Sequence, residues 1–205
     1  VQISDLQVSE YFETNRLDKV IEKVNAQNPD ILLFTGDLFD NYSKYPEQMA
    51  PMIEKLKAFK ANIGKYAVWG NHDYGGGAVR VYEDVMSAGG FTVLRNQGET
   101  LTLSDGRQVF LGGLDDSLLG NPSVSDTLAY RQNYAITMTH EPDVADAFIG
   151  TDTQLVLAGH SHGGQVWIPF YPIKNVLAEK YTRGLYQLDA ITQLYVNTGI
   201  GTTSI

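Results

Sequence analysis

Asn28-Pro29-Asp30-Ile31-Leu32-Leu33-Phe34-Thr35-Gly36-Asp37-Leu38-Phe39-Asp40 shows most plainly how this chain is built. Asn-Pro-Asp stops a helix, because proline has no backbone N–H and pushes the residue before it out of the helical region. The four apolar residues Ile31 to Phe34 then read as a strand covered on both faces. Strands of that kind belong to sheets flanked by helices. The polar run after Phe34 lies at the strand's carboxyl end, where open α/β sheets build their sites.

The same alternation extends in both directions. Upstream, Val1–Ser4 reads as a buried strand, and Leu17, Val20, Ile21 and Val24 recur at helical spacing. Downstream, Met49, Met52, Ile53 and Leu56 mark a second helix, and Tyr66-Ala67-Val68-Trp69 the next strand. A third helix follows Gly75-Gly76-Gly77 and carries Val81, Val85 and Met86. After Gly89-Gly90 the strands shorten. Thr100–Leu103 and Val109–Leu111 flank Asp105-Gly106 as a hairpin. Ala135–Met138, Val144–Ile149 and Leu155–Ala158 read as strand, helix and strand, and Val166–Ile168, Gly184–Leu188 and Gln193–Val196 as further strands. Strand–helix alternation followed by antiparallel strands predicts a layered α/β domain on mixed sheets.

There is no repeat or linker, so residues 1–205 form one expected domain, long enough to bury a proper core. It begins inside a strand and stops on Gly201-Thr202-Thr203-Ser204-Ile205, so we expect it to be trimmed at both ends. Composition then excludes several functions. The chain has no cysteine, which removes thiol catalysis, disulfide scaffolds and Cys-ligated metals. Its 15 Lys and Arg against 24 Asp and Glu leave a net charge of −9, which repels polyanions, so no nucleic-acid partner is expected. No apolar run approaches the roughly 18 residues of a membrane span.

Five strand ends carry the chemistry. Asp5-Leu6-Gln7, Thr35-Gly36-Asp37-Leu38-Phe39-Asp40, Gly70-Asn71-His72-Asp73, Thr139-His140-Glu141 and Gly159-His160-Ser161-His162 each follow an apolar strand. The chain has four histidines, and all of them fall in these stretches. A single histidine at a strand end is usually structural; this coincidence of all four is not. Asp, His and Asn without Cys form a ligand set for hard or borderline divalent metals. Glycine before Asp37, Asn71 and His160 lets the backbone turn sharply toward one centre. In an extended stretch His160 and His162 point to the same side and address neighbouring ions. The candidate ligands outnumber the needs of one ion, which favours a two-metal cluster.

Taken in order, these motifs resemble those of the calcineurin-like metallophosphoesterases, across nearly the whole chain. Gly159-His160-Ser161-His162-Gly163-Gly164-Gln165 is similar to the bacterial branch that is membrane-tethered or exported, as is Gly199-Ile200-Gly201-Thr202-Thr203. The resemblance implies a four-layer α/β/β/α sandwich with two mixed sheets and two divalent metals at one rim. One metal takes Asp5, Gln7, Asp37 and His162; the other takes Asp37, Asn71, His140 and His160, with Asp37 bridging. It makes His72 the catalytic, non-ligand histidine. Asp40 is the expected carboxylate that holds its tautomer, with Asp73 as the runner-up; the plainer reading of Asp40 is a helix or turn cap. The implied reaction is hydrolysis of a phosphate mono- or diester by metal-activated hydroxide. Two dications, two aspartates and a hydroxide sum to a cluster near +1, which attracts phosphate despite the acidic surface.

Gln7 departs from the family pattern, which has His there. An amide oxygen is a harder, weaker donor than imidazole, so the first site favours manganese, with iron, zinc or magnesium as alternatives. The plainer reading is that Gln7 is no ligand and a water takes its place. The substrate is expected to be a small phosphate ester such as a phospholipid or a nucleotide-sugar lipid, and the full-length product to carry a targeting segment ahead of Val1. Trp167-Ile168-Pro169-Phe170-Tyr171-Pro172 offers an aromatic surface, or simply core and a proline-rich loop. Arg80, Arg95, Arg131 and Arg183 are candidates for a second phosphate or, more plainly, solvated surface. Leu118-Leu119-Gly120-Asn121-Pro122 reads as a loop over the site or an ordinary connection. Two rival functions remain: a binding module that kept the fold with weakened catalysis, and a nuclease of the same family.

Overall fold

Short apolar runs form the strands and helical patterns the helices in a computed structural model that describes residues 1–164 and 178–202. The first half contains β1 (Gln2–Ile3), α1 (Leu17–Ala26), β2 (Ile31–Phe34), α2 (Met49–Ala58), β3 (Gly64–Ala67), α3 (Asn71–Tyr74), α4 (Tyr82–Ala88) and β4 (Thr92–Val93). Its strands form a sheet in the order β1-β2-β3-β4, with every pair parallel. The second half contains β5 (Gln97–Thr102), β6 (Gln108–Gly113), α5 (Val124–Thr127), β7 (Tyr134–Met138), β8 (Leu155–Ala158), β9 (Gly184–Gln187) and β10 (Gln193–Val196). These make a mixed sheet, β5-β6-β7-β8-β10-β9, in which β5 and β9 run antiparallel to their neighbours.

Side chains alternate across each strand, and the alternation generates three cores. Leu32 and Phe34 of β2 pack toward Leu17, Ile21 and Val24 of α1, Met52 and Leu56 of α2, and Val85 and Met86 of α4. Leu33, between them in sequence, joins Tyr66 and Val68 against Leu101, Val109, Leu111, Met138 and Leu157 of the other sheet. The far face of that sheet, Val156, Ala158, Leu194 and Val196, is covered by Ala145 and Phe148. The layers are therefore α/β/β/α. The fourth is thin: the stretch expected as a helix over Val144–Ile149 is a 3-10 helix, Pro142–Phe148. Its buried Ala145 and Phe148 lie three apart, which suits three residues per turn.

The strand expected at Tyr66–Trp69 begins two residues earlier and leaves the ladder after Ala67. Trp69 is still buried, but against Tyr74 and Tyr82, with ring centroids 4.6 Å away in both cases. Burial alone does not mark where a ladder ends. The expected strand Val166–Ile168 and the aromatic run Trp167–Pro172 lie outside the described residues. Among the described residues no helix is long and apolar enough to cross a membrane.

One side chain ties the helical layer to β3. The Lys65 ammonium donates to the carbonyls of Leu56 (2.8 Å), Phe59 (3.2 Å) and Gly89 (2.7 Å), at the ends of α2 and α4. A cation there meets the negative ends of two helix dipoles and their unpaired carbonyls. Lys65→Met keeps the aliphatic stem and removes the charge. We expect it to cost about 2–3 kcal/mol, the range for hydrogen bonds to a charged group, and to lower Tm by roughly 5–10 °C. A melting curve superimposable on the parent's contradicts this role.

Candidate metal centre

The carboxyl ends of β1, β2, β7 and β8 and the turn after β3 bring the predicted site residues to one rim. The backbone there is unusual. Asp5 (φ 50°), Gln7 (40°), Asp37 (64°), His160 (66°) and His162 (47°) are all in the left-handed region, together with only Asn28, Asn96 and Asp152 among non-glycine residues described. Such conformations cost roughly 1–3 kcal/mol each and persist where the surroundings enforce them, most often at functional sites. They also correct an expectation. His160-Ser161-His162 is not extended; positive φ at both histidines turns the two rings by a route that strand alternation does not describe.

Asp37 lies at the centre. Its Oδ1 accepts the His72 N–H at 2.9 Å, and its Oδ2 lies 3.2 Å from both His140 Nε2 and Gln7 Nε2. His160 Nδ1 faces His140 Nε2 at 3.1 Å. Asp37, His140 and His160 each offer a ligand atom, and these atoms lie within 4.8 Å of one another. The Nδ1 of His140 meets the Thr35 carbonyl at 2.7 Å, which fixes Nδ1 as the protonated nitrogen and turns Nε2 toward the cluster. Asp5 is next to it: both carboxylate oxygens accept the His160 N–H, at 3.2 and 3.0 Å, and Oδ1 lies 3.5 Å from His162 Nε2. Ser4 Oγ donates to Asp5 Oδ2 at 2.5 Å.

Glycine is required by close approach. At Gly36, with φ 94°, a Cβ would lie 2.6 Å from His140 Nδ1 and 2.8 Å from Gly70 N. At Gly70 it would lie 2.7 Å from Asp37 N and 2.9 Å from His140 Cε1. Side chains at these positions would push apart the loops that hold Asp37, Asn71 and His140.

The donor set fits a divalent cation. Gln7 Oε1, Asn71 Oδ1 and His162 Nε2 are buried polar atoms with no hydrogen-bond partner. A buried acceptor without a donor is costly, and a cation satisfies it. The electrostatics agree. Burial pushes the Asp37 carboxyl up, but the His140 imidazole outweighs it and holds the group below the usual carboxylate range. Burial likewise lowers His140, but the Asp37 carboxylate raises it well above the usual imidazole value. The raised His140 would supply positive charge to the metal-free cluster, and a cation held by Asp37, His140 and His160 would compete with that proton. Burial, then the charge of His140, lowers His160 to about 4.

His72 lies beside this cluster and is half-buried. Its Nδ1 donates to the Asp40 backbone carbonyl at 2.6 Å, whereas the Asp40 carboxylate is 3.8 Å away. Asp40 therefore orients the ring through its main chain and not, as expected, through its side chain. Asp73, the runner-up, does something else. Its buried carboxylate accepts the N–H groups of Asp37 (2.8 Å), Leu38 (2.9 Å) and Gly70 (2.9 Å), locking the Asp37 loop to the turn before α3. Burial and the neighbouring Asp37 carboxylate push it up to about 7, against the pull of those N–H bonds. Its sequence signal was the acid at the third position of a short helix, reaching back to the capping N–H.

Three further acids have no role assigned from sequence, although Glu141 belongs to one of the five strand-end stretches. Asp115 and Asp116 follow β6, and Glu141 follows His140; all are buried. Burial and Glu141 raise the Asp116 carboxyl to about 8. The strand-end rule that located the other residues applies equally to β6, had Gly112-Gly113-Leu114-Asp115-Asp116 been read as a strand and its rim.

A buried cluster of carboxylate, imidazole and amide groups thus lies at the carboxyl rim of an α/β/β/α sandwich. The chain belongs to the calcineurin-like phosphoesterase family, whose profile matches residues 1–164. It is 42% identical over 209 residues to the metallophosphoesterase YkuE of Bacillus subtilis (strain 168), spanning all of this chain and 72% of that one. It is 28% identical over 211 residues to the phosphodiesterase YaeI of Escherichia coli (strain K12), spanning 97% of this chain and 73% of that one. A crystal structure 14% identical in sequence covers 97% of this chain and 89% of its own with a TM-score of 0.56, a likeness of fold.

Proposed function

We propose that this chain hydrolyses a phosphate ester, mono- or diester, with two divalent cations. Asp5, Gln7, Asp37 and His162 hold one cation, and Asp37, Asn71, His140 and His160 the other. The observation that carries this reading is the coincidence of orphaned atoms with proposed ligands: Gln7 Oε1, Asn71 Oδ1 and His162 Nε2 are buried without partners around the Asp37–His140–His160 cluster. When bound, the cations supply Lewis-acid activation of water and neutralise charge on the phosphoryl oxygens. The protein positions everything else. Asp73 fixes the backbone under Asp37, and Thr35 fixes the tautomer of His140. His72, anchored at Nδ1, presents Nε2; burial lowers its pKa, but the Asp37 carboxylate and then the Asp40 carbonyl raise it, so it suits a proton donor to the departing oxygen. The resemblance of the sequence Gly159–Gln165 to exported and membrane-tethered relatives supports placing the full-length product at a membrane.

Gln7 separates this enzyme from a binding module. Its Nε2 donates to Asp37 Oδ2 at 3.2 Å while Oε1 is free to act as a weak oxygen ligand. The purified chain is expected to be under-occupied, with hydrolysis of an aryl phosphodiester rising on addition of manganese. Gln7→His is expected to retain zinc or iron more tightly and to need less added metal, since imidazole suits those ions better. An aryl phosphomonoester and single-stranded DNA complete the panel; a net charge of −9 argues against the latter. If neither manganese nor Gln7→His yields turnover of any ester, the binding-module reading replaces this one. Full zinc or iron occupancy in the parent refutes the weak-ligand role alone.

A further inference from the structure

The turn after β6 is built in an unexpected way. β6 runs parallel to β7, with Gly113 opposite Met138, so the residues that follow it emerge beside Thr139-His140-Glu141. Five successive backbone N–H groups, Ser117 to Asn121, then all donate to buried carboxylates. Glu141 Oε2 accepts Ser117 N–H at 2.9 Å and its hydroxyl at 2.8 Å. Asp116 Oδ2 accepts Leu118 N–H (3.1 Å), Leu119 N–H (2.5 Å) and Gly120 N–H (3.3 Å). Asp115 Oδ2 accepts Asn121 N–H at 3.0 Å and the Arg95 Nε–H at 3.1 Å.

The turn is also fastened to the metal centre on two sides. Glu141 is the residue after His140. Asp115 Oδ1 accepts the Tyr74 hydroxyl at 2.6 Å, and Tyr74 closes α3, which carries Asn71 and His72. At its tip the turn presents Leu118, 58% exposed, and Leu119, 59% exposed, the only adjacent pair among the described residues' exposed large hydrophobics, followed by the exposed Asn121. Burying acids is expensive, and Asp116 Oδ1 and Glu141 Oε1 are left without a hydrogen-bond partner while the other oxygens accept the turn's N–H groups. Here they hold a turn whose tip exposes two leucines side by side, ahead of the polar Asn121.

We propose that Leu118 and Leu119 form a rigid apolar lip that takes the hydrocarbon portion of a phosphate ester whose phosphate occupies the metal centre. The preferred substrates are then amphiphilic phosphoesters. This rests on the phosphoesterase reading above and narrows its substrate class. Rigidity matters because a lip already ordered loses little entropy when the chain of the substrate lies against it. The leucines then leave water only in the complex, which supplies hydrophobic driving force.

The test compares two esters of the same leaving group, methyl p-nitrophenyl phosphate and octyl p-nitrophenyl phosphate. Both, and the monoester p-nitrophenyl phosphate, are assayed with the manganese-loaded chain at concentrations below micelle formation. We expect kcat/KM to favour the octyl ester by about tenfold or more, mostly through KM, the scale on which apolar pockets discriminate added methylenes. In a Leu118→Ser, Leu119→Ser double variant the octyl-to-methyl ratio falls toward one. Leu118→Met, Leu119→Met restores it. A parent ratio near one, or a ratio unmoved in the double serine variant, overturns the lip and leaves the phosphoesterase reading standing. Turnover of p-nitrophenyl phosphate alone overturns the lip, and no turnover of any of the three esters by the metal-loaded parent overturns both.

Discussion

Asp37→Ala is expected to purify without its metal complement and to hydrolyse no phosphate ester at a measurable rate. Asp37 is the residue where the two proposed ligand sets meet. Its Oδ2 lies 3.2 Å from His140 Nε2, and its Oδ1 holds the turn of His72 through a 2.9 Å backbone bond. Losing a partner that merely supports a metal ligand costs about 10–100-fold in affinity. Losing a shared, charged ligand should exceed that at both ions. The alanine variant also strands His140 without its buried counter-charge, so Asp37→Asn is the informative companion. It keeps the volume and an acceptor for His72 N–H while removing the charge. Circular dichroism establishes that it is folded, and elemental analysis counts the metal. If the asparagine variant retains two cations per chain, Asp37 does not bridge.

His72→Ala has the opposite signature. Metal content is expected to stay near the parent value while turnover falls about 10²–10⁴-fold, the usual worth of a positioned proton donor. Asp40 refines the test. The ring is held by the Asp40 carbonyl at 2.6 Å and not by the carboxylate at 3.8 Å. Asp40→Asn, which keeps the carbonyl, is therefore expected to lose far less than His72→Ala. Equal losses would restore the carboxylate as the orienting group. Loss of metal in His72→Ala would make the histidine a ligand.

Much of the sandwich could be read from short runs. Ile31–Phe34 announced a covered strand, and Leu17, Ile21 and Val24 the helix that covers one of its faces. The rule that sites gather at carboxyl strand ends named the residues from Asp5 to His162 that the structure places around Asp37. Three things were out of reach for physical reasons. The left-handed backbone at His160 and His162 is imposed by long-range contacts, such as the Asp5 carboxylate accepting the His160 N–H, and no local pattern reports it. The main-chain grip of Asp40 on His72 looks in sequence like a carboxylate's work. The insertion of β10 between β8 and β9 depends on sheet pairing and not on periodicity. Asp115 and Asp116 were legible in principle, because they follow a strand as Asp37 does. They were passed over because the hairpin reading ended that strand at Leu111, two residues short of Gly113.

The central claim is that two divalent cations, joined through Asp37, make this chain a phosphoesterase. The most direct measurement titrates the metal-stripped protein with manganese while following bound metal together with hydrolysis of an aryl phosphodiester and an aryl phosphomonoester. We predict that activity climbs until two manganese ions are bound per chain and then levels off, with protons released as His140 gives up its charge. Binding that stops at one ion, or two bound ions without hydrolysis, contradicts the account.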